Sequence, residues 1–160
     1  NDLQAADDNL MHITFQMLLE DRNEIAAKLL DFAVNTLKKA KRLSCEDVER
    51  GFVINLAQAN KWLGLDSACR EVLAKYDWSA VALKFRLAHA VLSDRFEDAL
   101  KVMTHIGRRG EIQRSDYWEW PLFKEFRKQP EFLETYKEIF GDKVPSHLRV
   151  ELGGVSAIAT

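Results

Sequence analysis

Apolar residues recur every three or four positions along most of this chain, and short polar or glycine-bearing breaks separate the runs. Such spacing gathers the apolar side chains of each run on one face of a helix. Over 7–20, Leu10, Ile13, Phe15, Met17 and Leu18 predict a helix opened by Asp7 or Asp8, whose carboxylates suit a helix start. Ile25, Leu29, Phe32, Ala33 and Leu37 form the stripe of a second helix over 24–41, which closes on Lys38, Lys39, Lys41 and Arg42. Ser44 is placed to cap a third, which runs to Leu63 and stops at Gly64, and Asp66 to cap a fourth over 67–76. Asp77-Trp78-Ser79 is a link, Ser79 starts a fifth, and a turn at Ser93-Asp94-Arg95 leads to a sixth over 96–106. Pro121 and Pro130 each suit a first helical turn, and Gly141 closes the last helix. The chain is therefore expected to be all-α, a stack of about four antiparallel helical hairpins over residues 1–141. From Asp142 the pattern fails, and 142–160 reads as a C-terminal tail or docking segment. The alternation of Leu148, Val150 and Leu152 with polar neighbours is a weak strand signature.

One pattern occurs twice between residues 52 and 107. Leu56, Ala57, Ala59 and Ala68 are matched at one fixed offset by Leu87, Ala88, Ala90 and Ala99. Small residues at matched places mark close approaches between helices, so Ala57, Ala68, Ala88 and Ala99 are expected to be buried between stacked hairpins.

Composition narrows the classes. The chain has 160 residues, of which 47% are hydrophobic and 30% charged, with a formal net charge of -2. That balance argues against a dedicated nucleic-acid binder, which needs a basic excess on one face. No apolar run reaches the length a bilayer requires, so no membrane association is expected. Cys45 and Cys69 lack the spacing of a disulfide framework or a zinc site; both are expected to be small core residues in a reducing, cytoplasmic setting. A start at Asn1 rather than Met suggests a piece of a larger protein whose preceding domain would set the function class.

The paired hairpins resemble tetratricopeptide repeats. The resemblance rests on Leu56-Ala57 and Leu87-Ala88 in first helices, on Ala68 and Ala99 in second helices, and on the run from Arg95 to Leu100. The copies are spaced more closely than the usual period of about 34 residues and lack the signature Trp, Gly, Tyr and closing Pro, which marks a degenerate form. The segment Trp120–Arg127 with Gln129–Phe132 is similar to the closing helices after such arrays in some bacterial regulatory proteins. The resemblance implies an α-solenoid that binds proteins.

Candidate chemistry is sparse. No nucleophile elbow, phosphate loop, HExxH or dinucleotide turn is present, and His12, His89, His105 and His147 have no partners at ligand spacing, so no catalytic residue, metal or cofactor is expected. Arg108, Arg109 and Arg114 lie in the most polar stretch, which is either a solvated loop or an anion site. Trp62, Trp78, Trp118 and Trp120 read as packing or as stacking platforms. If the first helices line the concave side and Ala57 and Ala88 face a neighbouring helix, Asn55 and Gln58 turn toward the groove, as do Arg86 and His89. Lys61 and Trp62 extend that face. The set suits an acidic peptide or a C-terminal carboxylate on a protein partner. The chain thus reads as an interaction module, regulatory or scaffolding, and not an enzyme. The alternatives are a nucleotide- or nucleic-acid-sensing domain that controls an attached enzyme, and an oligomerisation platform.

Overall fold

The computed structural model describes residues 2–141, and every regular element among them is helical. The expected tail and strand lie outside the described residues. Helix α1 spans Asp2–Leu19, and α2 spans Asn23–Phe32 before widening into a π turn at Ala33–Leu37. Then come α3 (Glu46–Trp62), α4 (Asp66–Ala74), α5 (Leu83–Leu92) and α6 (Phe96–Ile106). The short α7 (Asp116–Glu119), two 3₁₀ turns (Pro121–Phe123 and Phe126–Lys128) and α8 (Pro130–Phe140) complete the described chain. No helix among the described residues is long and apolar enough to cross a membrane.

Three hairpins share one turn. Asp21, Gly64 and Asp94 take left-handed φ values of 54°, 74° and 56°. The next residue's N–H reaches back five positions in each, from Arg22 to Met17 O (2.8 Å), Leu65 to Asn60 O (2.9 Å) and Arg95 to Ala90 O (2.9 Å). This is the Schellman closure, which satisfies carbonyls orphaned at a helix end and needs a residue that tolerates positive φ. Glycine has no Cβ to clash there, and aspartate is among the residues that visit the region.

Between the α3–α4 and α5–α6 hairpins the turn sets an offset of 30 residues, since Gly64 is equivalent to Asp94. The alanine pattern has an offset of 31. Inward positions follow the turn: Cys69 pairs with Ala99 and Leu73 with Met103, all buried, as are Ala26 and Leu30 at the same places after Asp21. Ala57, Ala88 and Ala99 are buried as expected, but Ala68 is only half-buried. On α2 the expected stripe turns outward at Ile25 and Phe32, Ala33 is buried as expected, and Ala26 and Leu30 join it in the core.

Several helix starts also differ. Asp7 opens nothing: α1 begins at Asp2, and the buried Asp7 carboxylate accepts the Ser44 N–H at 2.7 Å, tying α1 to the start of α3. Ser44 gives only its backbone N–H to that tie, its hydroxyl is enclosed without a partner among the described residues, and the exposed Cys45 takes the N-cap position of α3 without a side-chain cap bond. Only Cys69 is a core thiol. Asp66 lies inside α4, one residue past its N-cap Leu65. Ser79 does not start α5; its N–H closes an Asx turn on Asp77 Oδ1 (2.9 Å), and the helix begins at Leu83. The basic end of α2 is partly engaged, with Lys38 Nζ 2.6 Å from Glu49 Oε1 and 3.1 Å from the Tyr76 hydroxyl.

α3 packs on α1, α2, α4 and α5, and α6 packs on α5 and α8. The C-terminal part is an aromatic cluster in which Tyr117, Phe123, Phe126, Phe132 and Tyr136 are fully buried. Phe126 stacks on Phe96 of α6 with centroids 5.9 Å apart, joining the cluster to the hairpins. Arg114 does not stand open with Arg108 and Arg109; its Nε donates to the Tyr136 hydroxyl at 2.9 Å.

A candidate cleft over helix α5

A cleft of about 600 Å³ lies over α5, between the α4–α5 link and α6. Its size is typical of ligand and side-chain pockets. The link supplies the aromatic wall. Trp78 is nearly buried, and its indole N–H donates to Leu73 O at 2.8 Å, which fixes the ring. That ring stacks on the His89 imidazole, with centroids 5.3 Å apart and planes 19° apart.

His89 is half-buried on α5. Its Nδ1 lies 3.2 Å from Arg95 Nη2. A guanidinium can only donate, so Nδ1 accepts and the proton of the neutral ring sits on Nε2. Burial, then the nearby Arg95 charge, push the His89 pKa below its ordinary value. Arg95 is held from its other side by Asp98 at 3.2 Å, and Asp98 also lies 3.8 Å from Lys101. Arg86 is different. It is exposed on the cleft and has no ion pair or hydrogen bond from its side chain among the described residues.

The same groove occurs one repeat earlier, between α2 and α4, with a volume of about 490 Å³. Leu56, Asn60, Ala68, Glu71 and Val72 line it at positions 30 residues before Arg86, Ala90, Asp98, Lys101 and Val102. Where the earlier groove has leucine, the later one has an arginine.

The six sequence-derived site residues therefore separate. Arg86 and His89 share the cleft over α5. Asn55 and Gln58 do not turn toward any groove: they are 5% and 0% exposed, and Asn55 meets Met11 of α1. Register is the cause. In a repeat of 30, Asn55 and Gln58 are equivalent to the buried Phe85 and Ala88, while Arg86 and His89 are equivalent to Leu56 and Ala59. A one-residue error turns a helical position through about 100°. Lys61 is committed elsewhere, to Asp94 at 2.7 Å and to Leu92 O at 2.9 Å. Trp62 is half-buried, its indole N–H enclosed and without a partner among the described residues. Trp78, Arg95 and Asp98 complete the cleft without having been singled out by spacing. Trp78 reads from sequence only as one of four tryptophans for packing or stacking, and Arg95 and Asp98 only as members of the run from Arg95 to Leu100. Lys101 of α6 lines the same cleft.

No protein-family model, curated protein or solved structure matches this chain.

Proposed function

We propose that this chain is a cytoplasmic helical-repeat module, regulatory or scaffolding in role, that holds a partner protein by an acidic segment laid in the cleft over α5. The observation that carries this reading is Arg86, a guanidinium without a partner among the described residues, on a cleft with a rigid aromatic wall. A guanidinium offers paired donors that match a carboxylate, so an acidic side chain or chain end meets it without breaking an existing bond. Arg95 and Lys101 add positive charge, and the Trp78–His89 stack gives the stem of the bound residue an apolar surface. On this reading the module binds and does not catalyse, and it takes no cofactor. A nucleic acid fits less well, because neutralising its backbone needs a basic excess and the chain carries a formal net charge of -2.

Fluorescence anisotropy with a labelled peptide of alternating glutamate and alanine tests the reading. Wild type is expected to bind it better than a glutamine–alanine peptide, and Arg86→Ala to weaken binding about tenfold, the worth of one charge-assisted contact. The variant should fold as wild type does, because no partner is orphaned. Equal binding of the two peptides, or no change in Arg86→Ala, would refute the assignment. Tighter, steeply salt-dependent binding of a single-stranded oligonucleotide would favour the nucleic-acid reading.

A further inference from the structure

A second cleft lies between α1 and α7. It has a volume of about 410 Å³ and is lined by Phe15, Gln16 and Leu19 of α1 and by Asp116, Glu119 and Trp120 at α7. It shares no residue with the cleft over α5, and its two walls are about a hundred residues apart in sequence.

Its chemistry is of the opposite kind. Two of the six lining residues carry carboxylates, and none carries a positive charge. The apolar part is aromatic and aliphatic, with Leu19 42% exposed. The α7 wall is rigid. Trp120 N–H donates to Asp116 O at 2.9 Å, its carbonyl accepts from Arg127 Nη1 at 3.2 Å, and its ring meets Phe123 edge-on at 5.1 Å. Asp116 is held by the Gln113 N–H at 2.7 Å, which leaves its other carboxylate oxygen uncommitted to that bond. Glu119 is exposed and makes no ion pair among the described residues. The Trp120 indole N–H is enclosed and has no partner among them.

We propose that this cleft is a recognition site for a basic side chain, lysine or arginine, of a partner protein. A long aliphatic stem would cover Leu19 and Phe15 and leave its cationic head between the carboxylates and the Trp120 ring. A cation gains there from both the ring face and the opposite charge. An acidic or purely apolar side chain would leave the carboxylates uncompensated or repelled. The site does not depend on the acidic-segment reading of the cleft over α5, and either can fail alone.

The test follows the indole N–H signal of Trp120, assigned with Trp120→Phe, during titration with alanine pentapeptides that carry arginine, lysine or glutamate at the centre. A saturable shift is expected with arginine and lysine, weaker at high salt, and none with glutamate. Glu119→Gln removes a charge that makes no ion pair among the described residues, so the fold should be unaffected and the affinity should fall about two- to fivefold, the size of one exposed ion pair. No shift at Trp120, an equal shift with the glutamate peptide, or unchanged affinity in Glu119→Gln would each overturn the proposal.

Discussion

Asp94→Asn is expected to uncouple Lys61 from the α5–α6 turn without disturbing the turn. Asp94 holds φ at 56°. Asparagine tolerates that conformation as aspartate does, so the substitution changes the charge and leaves the backbone cost alone. Lys61 Nζ lies 2.7 Å from both carboxylate oxygens, and its side chain is 11% exposed against 63% for Asp94. Coulomb attraction at that separation is about 1.5 kcal/mol in water and about 6 kcal/mol at an effective dielectric of 20. The wet carboxylate draws the true value toward the lower figure, and desolvation of the ammonium on the largely enclosed Lys61 side chain offsets part of the rest. A coupling of about 1–2 kcal/mol is left. Urea unfolding of wild type, Asp94→Asn, Lys61→Met and the double variant measures it as a thermodynamic cycle. A coupling below about 0.3 kcal/mol would refute the reasoning and return Lys61 to the set of side chains free to meet a partner.

Two further outcomes separate the packing and electrostatic claims. Ala99→Leu is expected to overpack a fully enclosed site and cost about 1–3 kcal/mol, whereas Ala68→Leu, on the half-open floor of the groove between α2 and α4, should cost less than about 1 kcal/mol. Equal costs in thermal melts would restore the offset of 31. His89 has a depressed pKa in the folded state, so between that value and the ordinary histidine value of about 6.5 the unfolded chain binds more protons. Stability conferred by His89 is therefore complete above the ordinary value and is lost as pH falls through the window. Urea midpoints should drop less between neutral and mildly acid pH in His89→Gln than in wild type, and an equal drop would show that another group is responsible.

Local physics made the helices legible. The three- and four-residue spacing of apolar positions, the scarcity of glycine and proline, and breaks at Asp21, Gly64 and Asp94 suffice for an all-helical chain of hairpins, because a helix and its Schellman turn depend on residues within about six positions of one another. The segment from Trp120 to Phe132 read only as similar to closing helices, and its Phe123, Phe126 and Phe132 are buried together with Tyr117 and Tyr136. Which face of each helix meets which neighbour did not follow. The matched alanines suggested 31 residues, but the positive-φ turn, a backbone feature, sets 30, and the difference is enough to bury Asn55 and Gln58 while leaving Arg86 at a cleft. Asp7, apt at a helix start by its chemistry, is instead a buried acceptor for Ser44, 37 residues away. Leu19 and Trp120 share a cleft for which no local pattern speaks. Sequence periodicity measures angle around one helix axis, and only the packing of helices against one another decides which of those angles faces a neighbour, a cleft or water.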